Sequence, residues 1–143
     1  MKFYLIKTSY YVLVGIFILI TSLVGLSPTY AADKKWTFVV QVGNDKIYAD
    51  LGGKKRIGNM ITLWILEDYK VGKQEDTKRW YSLKSENEFD CIGRVFRSIQ
   101  TEAYNGSMGQ GRIITARLLN SEWKSALPAL YQSVCQDFLA NKR

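Results

Sequence analysis

The chain has 143 residues, of which 20 are lysine or arginine, 13 are aspartate or glutamate and none is histidine, so its formal net charge is +7. The lack of histidine removes the usual general base and the commonest metal ligand. Two cysteines without an imidazole also cannot supply the four ligands of a structural zinc site. The composition therefore excludes histidine-based catalysis and a structural zinc site, and with the carboxylates weighed below we expect no metal site, no cofactor and no catalytic residues.

Positions 1–31 have the three parts of a secretory signal peptide. Two lysines precede an apolar core at positions 10–26, and Ala31 provides a small residue at the exit. We expect cleavage after Ala31, which leaves one domain over residues 32–143 in the periplasm or on the cell surface. An uncleaved anchor is the alternative, although a membrane-spanning helix needs roughly 20 apolar residues, slightly more than this core offers. No cysteine lies near the end of this leader, so we expect no lipid anchor.

The two cysteines, Cys91 and Cys135, are expected to form a disulfide. Export brings the chain into an oxidising compartment, and an even number of cysteines in such a chain normally forms disulfides. The bridge would span 135 − 91 = 44 residues and tie the middle of the domain to its end. Export also separates the protein from nucleic acid, which we therefore exclude as a partner.

Alternating apolar residues between positions 36 and 118 predict about six antiparallel strands. Polar or glycine-rich turns separate them, with a polar loop expected at 71–77. The predicted strands are 36–42, 46–51, 59–69, 79–92 in two pieces (79–85 and 88–92), 94–101 and 110–118.

The apolar period changes to that of a helix near the end of the chain. Ser125 is the predicted N-cap, and Pro128 lies in the first turn, where its missing N–H costs nothing. The predicted apolar stripe consists of Leu127, Leu130, Tyr131, Val134, Cys135 and Phe138. The fold class is therefore α+β: an antiparallel sheet of about six strands, with one C-terminal helix packed on it and tied by the disulfide.

Glu86, Glu88 and Asp90 alternate along a predicted strand and would project from one face. Their spacing of roughly 6–7 Å could suit a hydrolase or a divalent cation. Charges on a solvated strand also prevent edge pairing, and no nucleophile–base pair accompanies these carboxylates. We interpret them as surface residues and expect no enzyme.

Aromatic and basic residues favour a binding surface instead. Trp80 and Tyr81 are neighbours on a strand and point to opposite faces, so at least one should be exposed. Nearby arginines and a basic turn would suit a protein partner or an anionic glycan or lipid. The predicted partner-binding residues are Lys54, Lys55, Arg56, Trp80, Tyr81, Arg94 and Arg97.

Several landmarks, taken in order, resemble the surface-adhesin protein E family of small exported Gram-negative domains. They are Trp36, Tyr-Ala-Asp at 48–50, Trp64, Ser85, Glu-Phe-Asp-Cys at 88–91, residues 104–111, Trp123 followed by Pro128, and Val-Cys at 134–135. The resemblance implies a sheet with a disulfide-linked C-terminal helix, and noncovalent binding of host matrix or serum proteins at the bacterial surface. The alternative is a periplasmic accessory protein that binds an envelope partner, which the missing lipid-attachment cysteine favours.

Overall fold

The computed structural model describes residues 34–119 and 121–140, so the predicted signal peptide lies outside the described residues. These residues form eight strands and one helix. The strands are β1 Thr37–Val42, β2 Asp45–Ala49, β3 Lys55–Ile57, β4 Met60–Glu75, β5 Lys78–Asp90, β6 Val95–Tyr104, β7 Ile113–Leu118 and β8 Lys124–Ser125. The helix α1 covers Pro128–Ala140.

All strand pairs in the sheet are antiparallel, and six strands follow in the order β1-β2-β4-β5-β6-β7. The short β3 pairs with β4, and the short β8 pairs with β6. Two-residue turns explain three of the hairpins, because Gly43, Gly58 and Asp76 all take the positive φ that such turns require. This arrangement confirms the predicted α+β architecture.

The hairpin of β4 and β5 is longer than the sequence pattern indicated. Lys73, Gln74 and Glu75 pair with Trp80, Arg79 and Lys78, beyond an irregularity in the ladder that follows Asp68. The predicted polar loop at 71–77 is therefore mostly strand. We call this extension of the hairpin, residues 73–80, the outer ribbon. Its residues are mostly polar because no further strand pairs with it on either side and most of its side chains are exposed.

The main core lies between α1 and one face of the sheet. The disulfide Cys91–Cys135 joins the end of β5 to α1, and the two cysteines are only 2% and 0% exposed. The Tyr131 hydroxyl donates a hydrogen bond of 2.7 Å to the Cys91 carbonyl beside the bridge. The buried residues of this core are Ala49, Ile61, Leu63, Ile65, Phe89, Cys91, Leu130, Tyr131, Val134, Cys135 and Phe138.

The start of α1 differs from the prediction. Ser125 lies in β8 rather than at the N-cap, because it pairs with Val95. The helix begins at Pro128, and Leu127 is 42% exposed just before it. The rest of the predicted stripe is buried against the sheet.

A loop folds over one end of the opposite face of the sheet. Ser82 donates to the Gly106 carbonyl at 2.5 Å and accepts from the Gly109 N–H at 2.8 Å. The Met108 N–H donates to Asp68 Oδ1 at 2.6 Å. Residues 106–109 therefore cover this end, where Leu66 is completely buried.

Candidate functional site

The face of the sheet opposite α1 carries alternate residues of its three central strands. The register pairs Trp64 with Glu86 and Glu86 with Gln100, so their side chains share this face. We call it the open face, and its strand residues are all half-buried. It consists of Thr62, Trp64, Lys84, Glu86, Glu88, Arg97, Gln100, Glu102 and the adjacent Trp123.

Each carboxylate on the open face already has a partner. Arg97 holds Glu88 Oε2 through Nη2 at 2.6 Å and Nε at 2.8 Å. The Gln100 side-chain amide donates to Glu86 at 2.8 Å. Tyr104 donates to Glu102 at 2.6 Å, and burial raises the pKa of this tyrosine to about 12. These carboxylates therefore belong to three separate hydrogen-bonded pairs and do not converge on one point.

Asp90 is held in a different way from its neighbours Glu86 and Glu88. Its carboxylate accepts hydrogen bonds from the Ile92 N–H at 2.9 Å and from the Asn59 amide at 2.8 Å. Hydrogen bonds from the Gly93 backbone above all, and then from Asn59 and Ile92, lower the pKa of Asp90. The residue therefore closes the turn between β5 and β6. Among the residues that the structure describes, no group of three potential metal ligands comes together.

Two tryptophans give the open face its apolar surface. Trp123 is 41% exposed, and the Arg97 guanidinium lies 4.8 Å from its ring centre. The Lys34 ammonium lies 4.3 Å from the centre of the Trp64 ring. Tryptophan and arginine in such contacts are the residue types that most often contribute binding energy at protein interfaces. Arg97 was among the predicted binding residues, but Trp64 and Trp123 were not. Only the strand register shows that these tryptophans lie on the same face of the sheet as Arg97.

The predicted basic turn braces α1. Lys54 forms an ion pair of 2.7 Å with Asp137 of the helix, and this contact lowers the pKa of Asp137. The Arg56 guanidinium lies 5.0 Å from the Phe138 ring centre. Lys55 is exposed on β3. Two of the three cations in this turn therefore already contact the protein's own helix.

The remaining predicted residues lie elsewhere. Arg94 contacts the Tyr131 ring at 5.7 Å, near the disulfide. Trp80 and Tyr81 are half-buried on the outer part of β5. Trp80 is eight residues along the strand from Glu88, the partner of Arg97, which corresponds to about 26 Å. The structure thus divides the predicted partner-binding set among separate places.

A basic groove lies between the outer ribbon and β7. Lys78, Arg79 and Arg112 line it together with Thr77, Asn105 and two isoleucines, and its volume is about 480 Å³. The sequence pattern did not reveal this cluster, because Arg112 lies far along the chain from the two other cations.

A smaller pocket lies at the start of α1, on the side of the sheet that the helix covers. We call it the helix-end pocket; its volume is about 180 Å³. Burial raises the pKa of Glu67 in its wall, although a hydrogen bond of 3.1 Å from the Tyr69 hydroxyl partly compensates. The lining residues are Ile47, Ile65, Glu67, Ser85, Asn87, Phe96, Ser98, Leu127 and Leu130.

Comparison with known proteins gives one family and one fold. The family model for surface-adhesin protein E matches residues 36–136. Crystal form II of Haemophilus influenzae protein E superposes with a TM-score of 0.54 at 15% identity, over 79% of this chain and 96% of that chain. A second structure of the same protein gives 0.53 at 15% identity, over 79% and 92%, and its selenomethionine form gives 0.52 at 17%, over 81% and 94%. Comparison with curated proteins finds no match.

These matches agree with the geometry of the described residues. At such low identity the solved structures show a shared fold, with the antiparallel sheet found here. Within the described part of the chain, α1 is too short to cross a membrane. The family supports an adhesin-like binding role and favours a binding protein over an enzyme. The chain belongs to the surface-adhesin protein E family.

Proposed function

We propose that this protein is an exported, non-enzymatic adhesin-like protein that binds a host matrix or serum protein through its open face. The observation that carries the proposal is the group of Glu88, Arg97 and Trp123. The Arg97 guanidinium, held by the Glu88 carboxylate, lies there against the ring of Trp123, which is 41% exposed. Family membership supports the class of function, and the open face supplies the surface.

The chemistry of this group suits a protein partner. Arg97 is already held by Glu88, so little side-chain freedom would be lost when a partner covers it. Trp123 offers a large apolar surface with only two rotatable bonds. The acidic and amide groups around them could form the polar rim that surrounds the apolar centre of an interface.

The test measures binding to immobilised matrix and serum glycoproteins by surface plasmon resonance. For a partner that binds the wild type saturably, Trp123→Ala should weaken binding at least tenfold, since tryptophan anchors often contribute about 2 kcal/mol or more. Arg97→Lys should weaken it less, because the charge remains while the two-pronged contact with Glu88 is lost. Lys78→Ala in the basic groove is the control and should bind like the wild type.

Two results would contradict this assignment. Unchanged binding by Trp123→Ala would remove the open face from the contact. Weaker binding by Lys78→Ala, with the other variants unaffected, would place the contact in the basic groove and favour an anionic glycan or lipid.

Protease treatment of intact and lysed cells tests the location. Digestion in intact cells would support the cell surface and a host partner. Protection until lysis would support the alternative from the sequence, a periplasmic protein that binds an envelope component. Crosslinking in intact cells would then be the way to recover that component.

A further inference from the structure

Both apolar and polar residues line the helix-end pocket; we call the apolar ones its walls, and Ser85, Asn87 and Ser98 its floor. Ile47, Ile65, Phe96, Leu127 and Leu130 provide the walls. A cavity of about 150 Å³ can hold a molecule as large as benzene, so 180 Å³ is enough for a chain of about four carbons. The walls therefore suit a small aliphatic group rather than a large ligand.

The floor of the pocket presents mainly hydrogen-bond acceptors. Asn87 uses both amide hydrogens within the floor, on Ser85 Oγ at 2.7 Å and on the Ser85 carbonyl at 3.1 Å. The Ser98 hydroxyl donates to Asn87 Oδ1 at 2.8 Å. Ser98 Oγ keeps lone pairs while its hydrogen is already engaged, and Ser85 Oγ, which accepts from Asn87, keeps one lone pair and the one hydroxyl hydrogen of the floor that is not used within it. A ligand group that donates hydrogen bonds fits such a floor better than one that accepts them.

Glu67 adds a carboxylate with one oxygen available. Its Oε2 accepts from Tyr69, whereas its Oε1 accepts no hydrogen bond from the described residues. Every fully buried side-chain nitrogen or oxygen of the described residues has a hydrogen-bond partner. Glu67 lines the pocket and is half-buried, so Oε1 is the carboxylate oxygen that this residue offers to a ligand there.

The charges around Glu67 also favour a cation. The cation that acts on its carboxylate, Lys73, forms an ion pair of 2.9 Å with Asp45 of β2 and lies 4.8 Å from the Tyr69 ring centre. Lys73 is therefore engaged by another carboxylate and compensates Glu67 only in part. The helix contributes the apolar Leu130, and Leu127 precedes it, on this side of the pocket. Asp45, Lys73 and Glu67 together carry one net negative charge when ionised.

We propose that the helix-end pocket binds a primary ammonium group on a short aliphatic stem, either the side chain of a lysine in a partner protein or a free alkylamine. The stem lies against the leucine and isoleucine walls, and the ammonium donates hydrogen bonds to Glu67 Oε1 and to the floor. Burial already disfavours the ionised carboxyl in the free protein, as the raised pKa of Glu67 indicates. A bound cation would relieve that cost, which gives the site its preference.

One feature acts against a cation. The N-terminal end of a helix carries a partial positive charge, and α1 begins beside this pocket. An alkylcarboxylate of the same length is therefore the decisive counter-probe. If the partial positive charge of the helix end decides what binds, the pocket prefers an anion. If the carboxylate of Glu67 decides it, the pocket prefers a cation.

The experiment titrates the protein, purified after export, with n-butylamine, n-butanol and pentanoate. Amide chemical shifts of Asn87, Ser98 and Leu130 report on the pocket. Butylamine should cause saturable shifts, and butanol and pentanoate should bind at least tenfold more weakly. Glu67→Gln should lose at least tenfold in affinity for butylamine, whereas Glu75→Gln on the exposed outer ribbon is the matched control and should bind normally.

A peptide arm separates the two sources of the ammonium. The Nα-acetyl, C-methylamide derivative of lysine presents the same stem and ammonium on a peptide backbone. If it causes the same shifts as butylamine, the pocket can accept a lysine of a partner protein. If only butylamine binds, the ligand is a free amine.

Three outcomes would overturn the proposal. These are equal binding of butanol and butylamine, preferential binding of pentanoate, or no saturable shift with butylamine at concentrations far above that of the protein. The wild-type comparison of the three probes decides this even if Glu67→Gln folds poorly. The probes need no protein partner, so their failure would leave the proposal for the open face untouched.

Discussion

Replacing both cysteines of the disulfide with alanine should lower the free energy of unfolding by about 4 kcal/mol. The bridge joins residues 44 apart, and the chain-entropy relation for a loop of this length gives that value at ordinary temperature. A domain of this size has a total stability of about 5–15 kcal/mol. The bridge would thus contribute a large share of the stability, because it ties α1 to β5.

Urea denaturation followed by tryptophan fluorescence measures this loss. The wild type is compared with the double variant Cys91→Ala/Cys135→Ala, each with and without a reductant. The reductant should destabilise only the wild type. The variant should also have a larger m-value, because its unfolded chain is no longer held in a loop and exposes more surface.

Tyr131→Phe separates the bridge from the packing around it. This variant keeps the ring and the disulfide but loses the hydrogen bond to the Cys91 carbonyl. We expect it to cost about 1 kcal/mol. A loss below about 1 kcal/mol in the double-alanine variant would refute the chain-entropy reasoning, since that reasoning gives about 4 kcal/mol for this loop.

Three further predictions concern buried charge, a turn and a loop. Glu67→Gln should raise the free energy of unfolding at pH 7, because burial raises the pKa of Glu67 and its ionisation therefore opposes folding. Thermal unfolding across pH measures this gain, which should disappear as the pH falls below the pKa of about 4 that the carboxyl has in the unfolded chain. Asp90→Asn should lower stability at neutral pH and make stability depend less on pH in the acid range. The lowered pKa of Asp90 stabilises the fold above the unfolded pKa, and this stabilisation is lost as the pH falls through the folded pKa. An unchanged pH dependence in the acid range would contradict this. Gly109→Ala should cost about 1–2 kcal/mol in urea denaturation, because its φ of +68° strains an alanine, whereas the end of the Lys84 side chain can turn away from the new Cβ. Gly43→Ala is the comparison, with φ of +61° and open space, and should cost about the same, about 1–2 kcal/mol; a much larger loss at Gly109 would show that Lys84 cannot turn away.

The architecture was predictable because its signals are local. Alternation along the chain indicated the strands, and the change to a helical period placed Tyr131 and Phe138 on the buried side of α1. The disulfide followed from cysteine count and compartment. The end of β4 was not predictable in this way, because polar residues form the outer ribbon and carry the same pattern as a loop.

The surfaces were harder to predict because they depend on register. The bulge between Glu86 and Asn87 decides which residues of β6 share a face with Trp64, and no local pattern reports it. A second bulge after Phe38 separates that ring from Val40, although simple alternation would place them together. The basic turn at Lys54 resembled a free patch because its partner, Asp137, lies 83 residues away.

The outer ribbon should open more readily than the rest of the sheet. Beyond Asp68 and Ser82, the two long strands are paired only with each other in the ladder, and their residues are mostly exposed. Local opening there breaks few contacts, so amide hydrogens at residues 73–80 should exchange much faster than those of the same strands inside the sheet. The turn at Asp76 and Thr77 is also about 20 Å or more along the strands from the tryptophans of the open face. An epitope inserted in that turn could therefore report where the protein resides in the cell while both proposed binding surfaces stay intact.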